Sequence, residues 1–181
     1  QFPHDDDRRK SLGHDSRGCA ALTMLEPPLK APVDGRQSET ALAVARGARR
    51  LLRALGYSTL TELTLASGRR ADIIALAANA DVHIIEIKSS VADFRADQKW
   101  TQYRDFCDRF YFAVPHAFPH ELIPPGCGLI LADAYGAEIA RHAPEHKLAP
   151  ATRRALLLRF AQTAANRLHG LADPEGVLRL D

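Results

Sequence analysis

The sequence predicts an α/β domain with the element order α-β-β-β-α-β, followed by a β-hairpin and a C-terminal helix. A helical period of apolar residues over 38–55 predicts the first helix, and three segments rich in β-branched residues predict an antiparallel meander after it. The length of 181 residues, with 46% apolar and 25% charged residues, is typical of one globular domain with its own core.

We expect this domain over residues 37–170, between two tails. Residues 1–36 hold an acidic run followed by a basic run, several prolines and no sustained period, which predicts a disordered or loosely packed N-terminal tail. Residues 171–181 are expected to form a C-terminal tail. The only methionine is Met24, which leads to the hypothesis that the native chain begins there and that residues 1–23 lie upstream of it.

Each element of the first half has its own signal. Apolar residues recur at three- and four-residue steps from Ser38 to Leu55, and Gly56 ends this predicted helix. Short turns containing glycine or asparagine separate the three predicted strands, which are Tyr57–Leu65, Arg69–Ala77 and Val82–Lys88.

The second half begins with a helix start signal. Ser90 and Asp93 have the spacing of a capping box, which predicts a second helix from Ala92 to Asp108. Short apolar runs and a proline suited to a first helical turn predict the remaining elements, namely strands at Phe110–Val114, Gly128–Ala132 and Glu138–His142 and a helix at Pro150–Leu168.

Charge and cysteine spacing exclude several classes of protein. The 24 Lys and Arg residues nearly balance 22 Asp and Glu residues, so the chain is not a polybasic nucleic-acid-binding protein. Its three cysteines, Cys19, Cys107 and Cys127, lack the spacing of a zinc ribbon or a disulfide framework, which favours a reducing, cytoplasmic location. No apolar run has the length of a membrane span, so no membrane partner is expected.

Two carboxylates and a lysine carry the strongest chemical signal. Side chains alternate along a strand, so Glu86 and Lys88 share a face at the end of the third strand, and the hairpin length brings Asp72 beside Glu86. Adjacent carboxylates repel one another unless a cation joins them. We therefore expect Asp72, Glu86 and the backbone carbonyl of Ile87 to bind Mg²⁺ or Mn²⁺, and Lys88 to position a water that attacks phosphate. The alternative is a solvated strand end with a surface ion pair.

These residues, in this element order, resemble a known nuclease superfamily. Ala71-Asp72 and Glu86-Ile87-Lys88 resemble the motif of the PD-(D/E)XK superfamily, with Ala71 where the superfamily has a proline that is not a ligand. More narrowly, the chain from about Gln37 to Leu168 resembles the MmcB-like bacterial DNA-repair family. The segments that carry the narrower resemblance are Glu86–Ser90, Asp93-Phe94, Lys99-Trp100, Tyr103 and Cys107–Val114.

The resemblance implies both a fold and an activity. The fold is restriction-endonuclease-like, with a mixed sheet flanked by helices, and the activity is Mg²⁺-dependent hydrolysis of DNA phosphodiester bonds in repair, by endonuclease or exonuclease action. The implied partners are DNA and other repair proteins. Members of the superfamily can also bind DNA after losing cleavage, so a catalytically silent DNA-binding or protein-recruiting module is the alternative. A metal-dependent hydrolase of another substrate class is the weaker one.

Other charged residues are candidates for supporting roles. The superfamily often has an acidic residue in the first helix, which suggests a catalytic role for Glu39, although a carboxylate also simply favours a helix N-terminus. A helical wheel places Lys99 on the apolar stripe of the predicted second helix, so it has a supporting catalytic or phosphate-binding role, or it snorkels to solvent. Arg69, Arg70 and Arg95 flank the site and are expected to contact DNA phosphates.

Two further groups are predicted to be structural. Trp100 and Tyr103 are expected to be core aromatics rather than base-stacking residues. Four arginines of the last helix are expected to form a solvated face, namely Arg153, Arg154, Arg159 and Arg167.

Overall fold

A computed structural model describes residues 38–97 and 99–174. The predicted N-terminal tail, the hypothesis about Met24 and most of the predicted C-terminal tail lie outside these residues. The helices are α1 (Glu39–Ala54), α2 (Val91–Ala96) and α3 (Pro150–Ala172), with 3₁₀ helices at Trp100–Phe106 and His120–Leu122. The strands are β1 (Ser58–Thr64), β2 (Arg70–Leu76), β3 (Val82–Ile87), β4 (Arg109–Val114), β5 (Gly128–Ala132) and β6 (Ala137–Arg141).

The described strands form one mixed sheet in chain order, β1-β2-β3-β4-β5-β6. Strand β2 is antiparallel to both β1 and β3, the strands β3, β4 and β5 run parallel to one another, and β6 returns antiparallel to β5. The crossover from β3 to β4 contains α2 and the 3₁₀ helix that follows it. The predicted α/β class, the meander and the later β-hairpin are therefore confirmed.

Helix α1 covers one face of the sheet and fixes one wall of the site. Its hydroxyl cap is Ser38, whose Oγ accepts a 3.1 Å hydrogen bond from the Ala41 amide, and Gly56 leaves the helix with a φ of 83°. The apolar stripe Val44, Ala48 and Leu52 is buried against the centre of the sheet. This packing holds the first turn of α1 near the carboxyl end of β3.

The second predicted helix is wrong in its length. Helix α2 ends at Ala96, and Asp97 has an extended backbone with φ −100° and ψ 91°. One oxygen of the Asp97 carboxylate accepts from the Lys99 amide at 3.0 Å, and the other accepts from Lys88 Nζ at 2.8 Å. These hydrogen bonds of the Asp97 side chain compete with the backbone hydrogen bonds of a helix. Helix α2 therefore ends here, and a 3₁₀ helix begins at Trp100.

The solvated face predicted for the last helix is confirmed for Arg154, Arg159 and Arg167, which are exposed, and is wrong for Arg153. Arg153 binds the buried Asp108 through both guanidinium nitrogens. Arg159 and Arg167 donate to backbone carbonyls of β1, at Thr64 and Thr61. Because β1 is an edge strand with unpaired carbonyls, these arginines anchor α3 along the edge of the sheet.

The described helices do not include one with the length and apolar character needed to cross a bilayer.

Candidate functional site

The candidate site lies where β2 begins and β3 ends. The register pairs Ile73 with Ile85, which puts Asp72 opposite Glu86. The Asp72 carboxylate accepts a 2.8 Å hydrogen bond from the Ile87 amide, so a side chain takes a backbone donor of the neighbouring strand. The antiparallel meander thus brings the two predicted carboxylates to one point.

Glu86 is nearly excluded from water. Its side chain is 8% exposed, and within the described part of the chain its Oε2 atom has no hydrogen-bond partner. The Tyr103 hydroxyl lies 3.5 Å from Glu86 Oε1. Burial raises the pKa of Glu86 to about 9, helped by the charge of Asp72, and burial raises the pKa of Asp72 to about 6. The metal-free site therefore holds a proton at neutral pH that a cation would displace.

Lys88 shares this buried space. Its ammonium donates to Asp97 Oδ2 at 2.8 Å and lies 3.7 Å from Glu86 Oε1, and its side chain is 5% exposed. Burial alone would lower the pKa of Lys88, but the hydrogen bond to Asp97 and the charge of Glu86 raise it overall. Lys88 is thus a positive charge that the hydrogen bond to Asp97 holds close to the Glu86 carboxylate.

A cavity of about 360 Å³ opens onto these groups. Its floor is formed by Asp72, Glu86, Ile87 and Lys88, and its walls by Ser38 and Ala41 of α1 and by Ser89 and Asp93. The predicted capping box forms in a shifted register. Ser90 Oγ accepts from the Asp93 amide at 3.1 Å, while the Asp93 carboxylate accepts from the amide of Ser89, one residue earlier than expected, at 2.9 Å.

Two predicted supporting residues do not lie in this cavity. Glu39 is exposed in the first turn of α1, beside Ser38, which does line the cavity, but Glu39 itself is not one of the lining residues. Lys99 is exposed just before the 3₁₀ helix. Its expected place on an apolar stripe is wrong, because α2 ends at Ala96 and the helical wheel no longer applies.

The three candidate phosphate-binding arginines are not among the residues that line this cavity. Arg69 donates to Gln102 at 2.5 Å and its guanidinium lies 6.0 Å from the Tyr103 ring centroid. Arg70 forms a 2.5 Å ion pair with Glu62. Arg95 is exposed on α2. Arg69 and Arg70 are therefore held by neighbours that a phosphate would have to displace.

Sequence reasoning missed Asp97 and placed Tyr103 only in the core. Tyr103 does stack on Phe110, with ring centroids 5.9 Å apart, but its hydroxyl also reaches Glu86. Asp97 was hidden because a continuous helix was predicted through it. The available signal was the short Asp-Gln-Lys segment, since an aspartate with a local backbone acceptor role interrupts helices.

The site has the donors that a hard divalent cation requires. Among the described residues, no three His, Cys, Asp or Glu side chains converge as a metal-binding group. The candidate set is instead two carboxylates, Asp72 and Glu86, with the carbonyl oxygen of Ile87, a residue that lines the same cavity. All are oxygen ligands, and the unpartnered Glu86 Oε2 is a buried acceptor without a donor. The residues present fit Mg²⁺ or Mn²⁺ with waters completing the coordination.

Comparison with known proteins identifies the family of this chain. The chain is similar to a solved structure of a protein of unknown function from Silicibacter pomeroyi, with 47% identity and a TM-score of 0.77 over 80% of this chain and 99% of that one. The search of curated proteins finds no match. The family model described as DNA repair protein MmcB-like matches residues 29–175, which confirms the resemblance predicted from the motif residues. The chain therefore belongs to the MmcB-like family of DNA repair proteins.

Proposed function

We propose that this protein is a Mg²⁺-dependent nuclease of the PD-(D/E)XK type that hydrolyses DNA phosphodiester bonds during repair. The observation that carries the proposal is the buried pairing of Asp72 and Glu86 beside Lys88, with Glu86 Oε2 left without a hydrogen bond in the described chain. A structural role does not account for this arrangement, because a buried carboxylate without a partner costs free energy.

The charge balance of the site supports a cation. Asp72, Glu86 and Asp97 together carry up to three negative charges against one positive charge at Lys88. Protonation of Glu86 relieves this imbalance in the metal-free protein, as its raised pKa indicates. A divalent cation would relieve it more completely and would keep both carboxylates ionised.

The chain's own groups have distinct parts in the chemistry. Asp72 and Glu86 would hold the cation with the Ile87 carbonyl. When bound, the cation neutralises the phosphate and lowers the pKa of a bound water. The fixed ammonium of Lys88 orients the attacking water and offsets the charge that develops on the phosphate oxygens. Asp97 keeps Lys88 protonated and holds it in place.

Substrate binding would use the three candidate arginines. Arg69, Arg70 and Arg95 would contact phosphates, with Arg69 and Arg70 exchanging their present partners for DNA. Contacts of this kind position the backbone without reading sequence. Affinity for DNA is accordingly expected to fall with salt concentration.

The decisive test is cleavage by purified protein. Single-stranded, duplex, nicked and branched DNA would be incubated with Mg²⁺, Mn²⁺ or EDTA, using wild type, Asp72→Asn, Lys88→Ala and the exposed control Asp105→Asn. We expect metal-dependent cleavage that both site variants lose and the control keeps. Salt-sensitive DNA binding without cleavage of any substrate would indicate the silent module instead. Cleavage that persists in Asp72→Asn and Lys88→Ala would rule out this site.

A further inference from the structure

Helix α1 has an outer face of arginines that the candidate site does not use. Arg46, Arg49, Arg50 and Arg53 are all exposed, and at 100° per residue they lie within roughly 100° of one another. The opposite face is the apolar stripe buried on the sheet. The row of arginines from Arg46 to Arg53 is about 10 Å long, since an α-helix rises about 1.5 Å per residue.

These arginines differ from most others in the described chain. Arginines elsewhere bind carboxylates or carbonyls, as Arg109, Arg141 and Arg153 do. Within residues 38–97 and 99–174, Arg46, Arg49 and Arg53 have no ion pair and no side-chain hydrogen bond. Like charges at this spacing repel one another, which costs helix stability without a compensating contact. A polyanion would supply the missing compensation.

A second feature points to the kind of polyanion. The turn between β5 and β6 sits directly on α1, and Arg50 Nη1 donates to the Ala134 and Tyr135 carbonyls, both at 3.0 Å. The Asp133 carboxylate accepts the Tyr135 amide at 2.7 Å and so fixes the turn from inside. The Tyr135 side chain itself is 86% exposed. The turn that carries this exposed ring is thus held against Arg50 by its backbone, and exposed aromatic rings near cations are the groups that bind unpaired nucleic-acid bases.

The direction of the helix links this surface to the candidate site. Glu39 is the acidic residue of α1, at its N-terminal end, and the cavity wall is formed there by Ser38 and Ala41. The arginines begin two turns further along the same helix. A strand lying along α1 would therefore leave the arginines in the direction of the paired carboxylates.

We propose that the α1 arginines and Tyr135 form a binding surface for single-stranded DNA. The arginines contact consecutive phosphates, Tyr135 stacks on a base, and the strand continues toward the cavity. This inference rests on the proposed nuclease function for its direction but not for its binding event, because phosphate contacts and stacking need no metal.

The test is metal-free binding of a labelled oligothymidylate in EDTA over a range of salt concentrations. Arg46→Gln/Arg53→Gln is compared with Lys147→Gln/Arg154→Gln, which removes two exposed charges that lie outside α1. We expect the α1 variant to lose about 1.4 in the slope of log affinity against log salt, at about 0.7 per phosphate contact. The control should keep the wild-type slope. Equal slopes in all three proteins, or equal losses in both variants, would overturn the proposal.

Tyr135 provides an independent arm. Tyr135→Ala is expected to bind the oligothymidylate about tenfold more weakly while binding duplex DNA unchanged, and Tyr135→Phe is expected to behave as wild type because the ring remains. An unchanged affinity of Tyr135→Ala for the single strand would remove the stacking role. Asp72→Asn separates the two proposals, since it should lose cleavage and keep binding. Binding through α1 without any cleavage would leave this inference standing while the nuclease proposal fails.

Discussion

Lys88 Nζ donates a 2.8 Å hydrogen bond to Asp97 Oδ2, a carboxylate from the segment that interrupts the second helix. The same Asp97 side chain accepts from the Lys99 amide through its other oxygen, so its position is fixed from two directions. One aspartate thus ends a helix and orients the buried lysine of the candidate site. The break in the helix and the geometry of the site have a single cause.

Asp97→Asn is expected to lower the pKa of Lys88. The hydrogen bond and charge of Asp97 raise that pKa against the effect of burial, so their removal lets burial dominate. The direct measurement is NMR titration of the Lys88 side chain, and the functional one is the alkaline limb of the cleavage profile, which should move to lower pH. Asp105→Asn is the control, since Asp105 is exposed on the neighbouring 3₁₀ helix. A Lys88 titration identical to that of wild type would refute the orienting role.

Glu86→Gln is expected to stabilise the metal-free protein at pH 8. Glu86 has a pKa of about 9 in the folded chain against an ordinary value of 4.5, so the folded state keeps a proton that the unfolded state releases. Stability is therefore lost as the pH rises from 4.5 toward 9, and a glutamine removes that loss. Urea unfolding in EDTA should show a gain on the order of 2 kcal/mol at pH 8 and little gain at pH 4.

The control for this prediction is Glu121→Gln, an exposed residue of the short 3₁₀ helix, which should change stability little at either pH. Mn²⁺ should raise the unfolding temperature of wild type but not of Glu86→Gln, because binding to the folded state alone stabilises it. A Glu86→Gln protein less stable than wild type at pH 8 would contradict the loss of stability that we assign to the buried Glu86 carboxylate.

Much of this molecule could be predicted from local patterns, and the failures have physical causes. The alternation in Val82–Ile87 and the hairpin length were enough to predict Asp72 beside Glu86. The helical wheel for Lys99 failed because side-chain hydrogen bonds of Asp97 ended α2 early, and periodicity does not detect such competition. The contacts of Arg153, Arg159 and Arg167 in α3 were not predicted, for another reason. Their partners, Asp108 and the β1 carbonyls, are distant in sequence and meet them only in the folded chain.

Asp108→Asn is expected to destabilise the protein by about 3 kcal/mol or more. Asp108 is 2% exposed and accepts from the Val82 and Leu148 amides and from two nitrogens of Arg153. An asparagine leaves the partly buried guanidinium of Arg153 without its charge partner. Thermal unfolding should show a fall of roughly 10 °C. Glu145→Gln, which breaks the exposed pair with Arg109, should cost less than about 1 kcal/mol.

The contribution of the Asp108–Arg153 ion pair to stability is expected to decrease at acidic pH. Hydrogen bonds from Arg153 and from backbone amides lower the pKa of Asp108 to about 2, although burial alone would raise it. Its contribution is present above the ordinary value of 3.8 and is lost as the pH falls through about 2. Asp108→Asn should therefore approach wild-type stability only near pH 2. An equal difference in stability at pH 2 and pH 7 would exclude the ionised carboxylate as the cause.

His83→Phe is expected to flatten the loss of stability between pH 6.5 and pH 4. His83 is 6% exposed and lies between Tyr57 and Tyr111, with ring centroids 4.9 and 5.7 Å away. Burial, assisted by the charge of Arg109, lowers the pKa of His83 to about 4, so the unfolded chain binds a proton that the folded chain does not. Stability is full above 6.5 and falls toward pH 4, by up to the order of 3 kcal/mol. Urea unfolding of both proteins at several pH values measures the difference, and parallel curves would disprove it.

Gly47→Ala is expected to destabilise the protein by about 1–3 kcal/mol, although alanine normally gains about 1 kcal/mol over glycine inside a helix. A Cβ at Gly47 would lie 2.2 Å from the carbonyl oxygens of Asp133 and Gly136, which belong to backbone and cannot rotate away. Gly170→Ala in α3 is the comparison, and should gain stability. Because the displaced turn carries Tyr135, Gly47→Ala should also weaken single-stranded DNA binding more than its loss of stability explains. A wild-type stability of Gly47→Ala would show that the β5–β6 turn can move away from α1 without cost. Wild-type affinity for single-stranded DNA would show that binding by Tyr135 does not depend on the packing of this turn on α1.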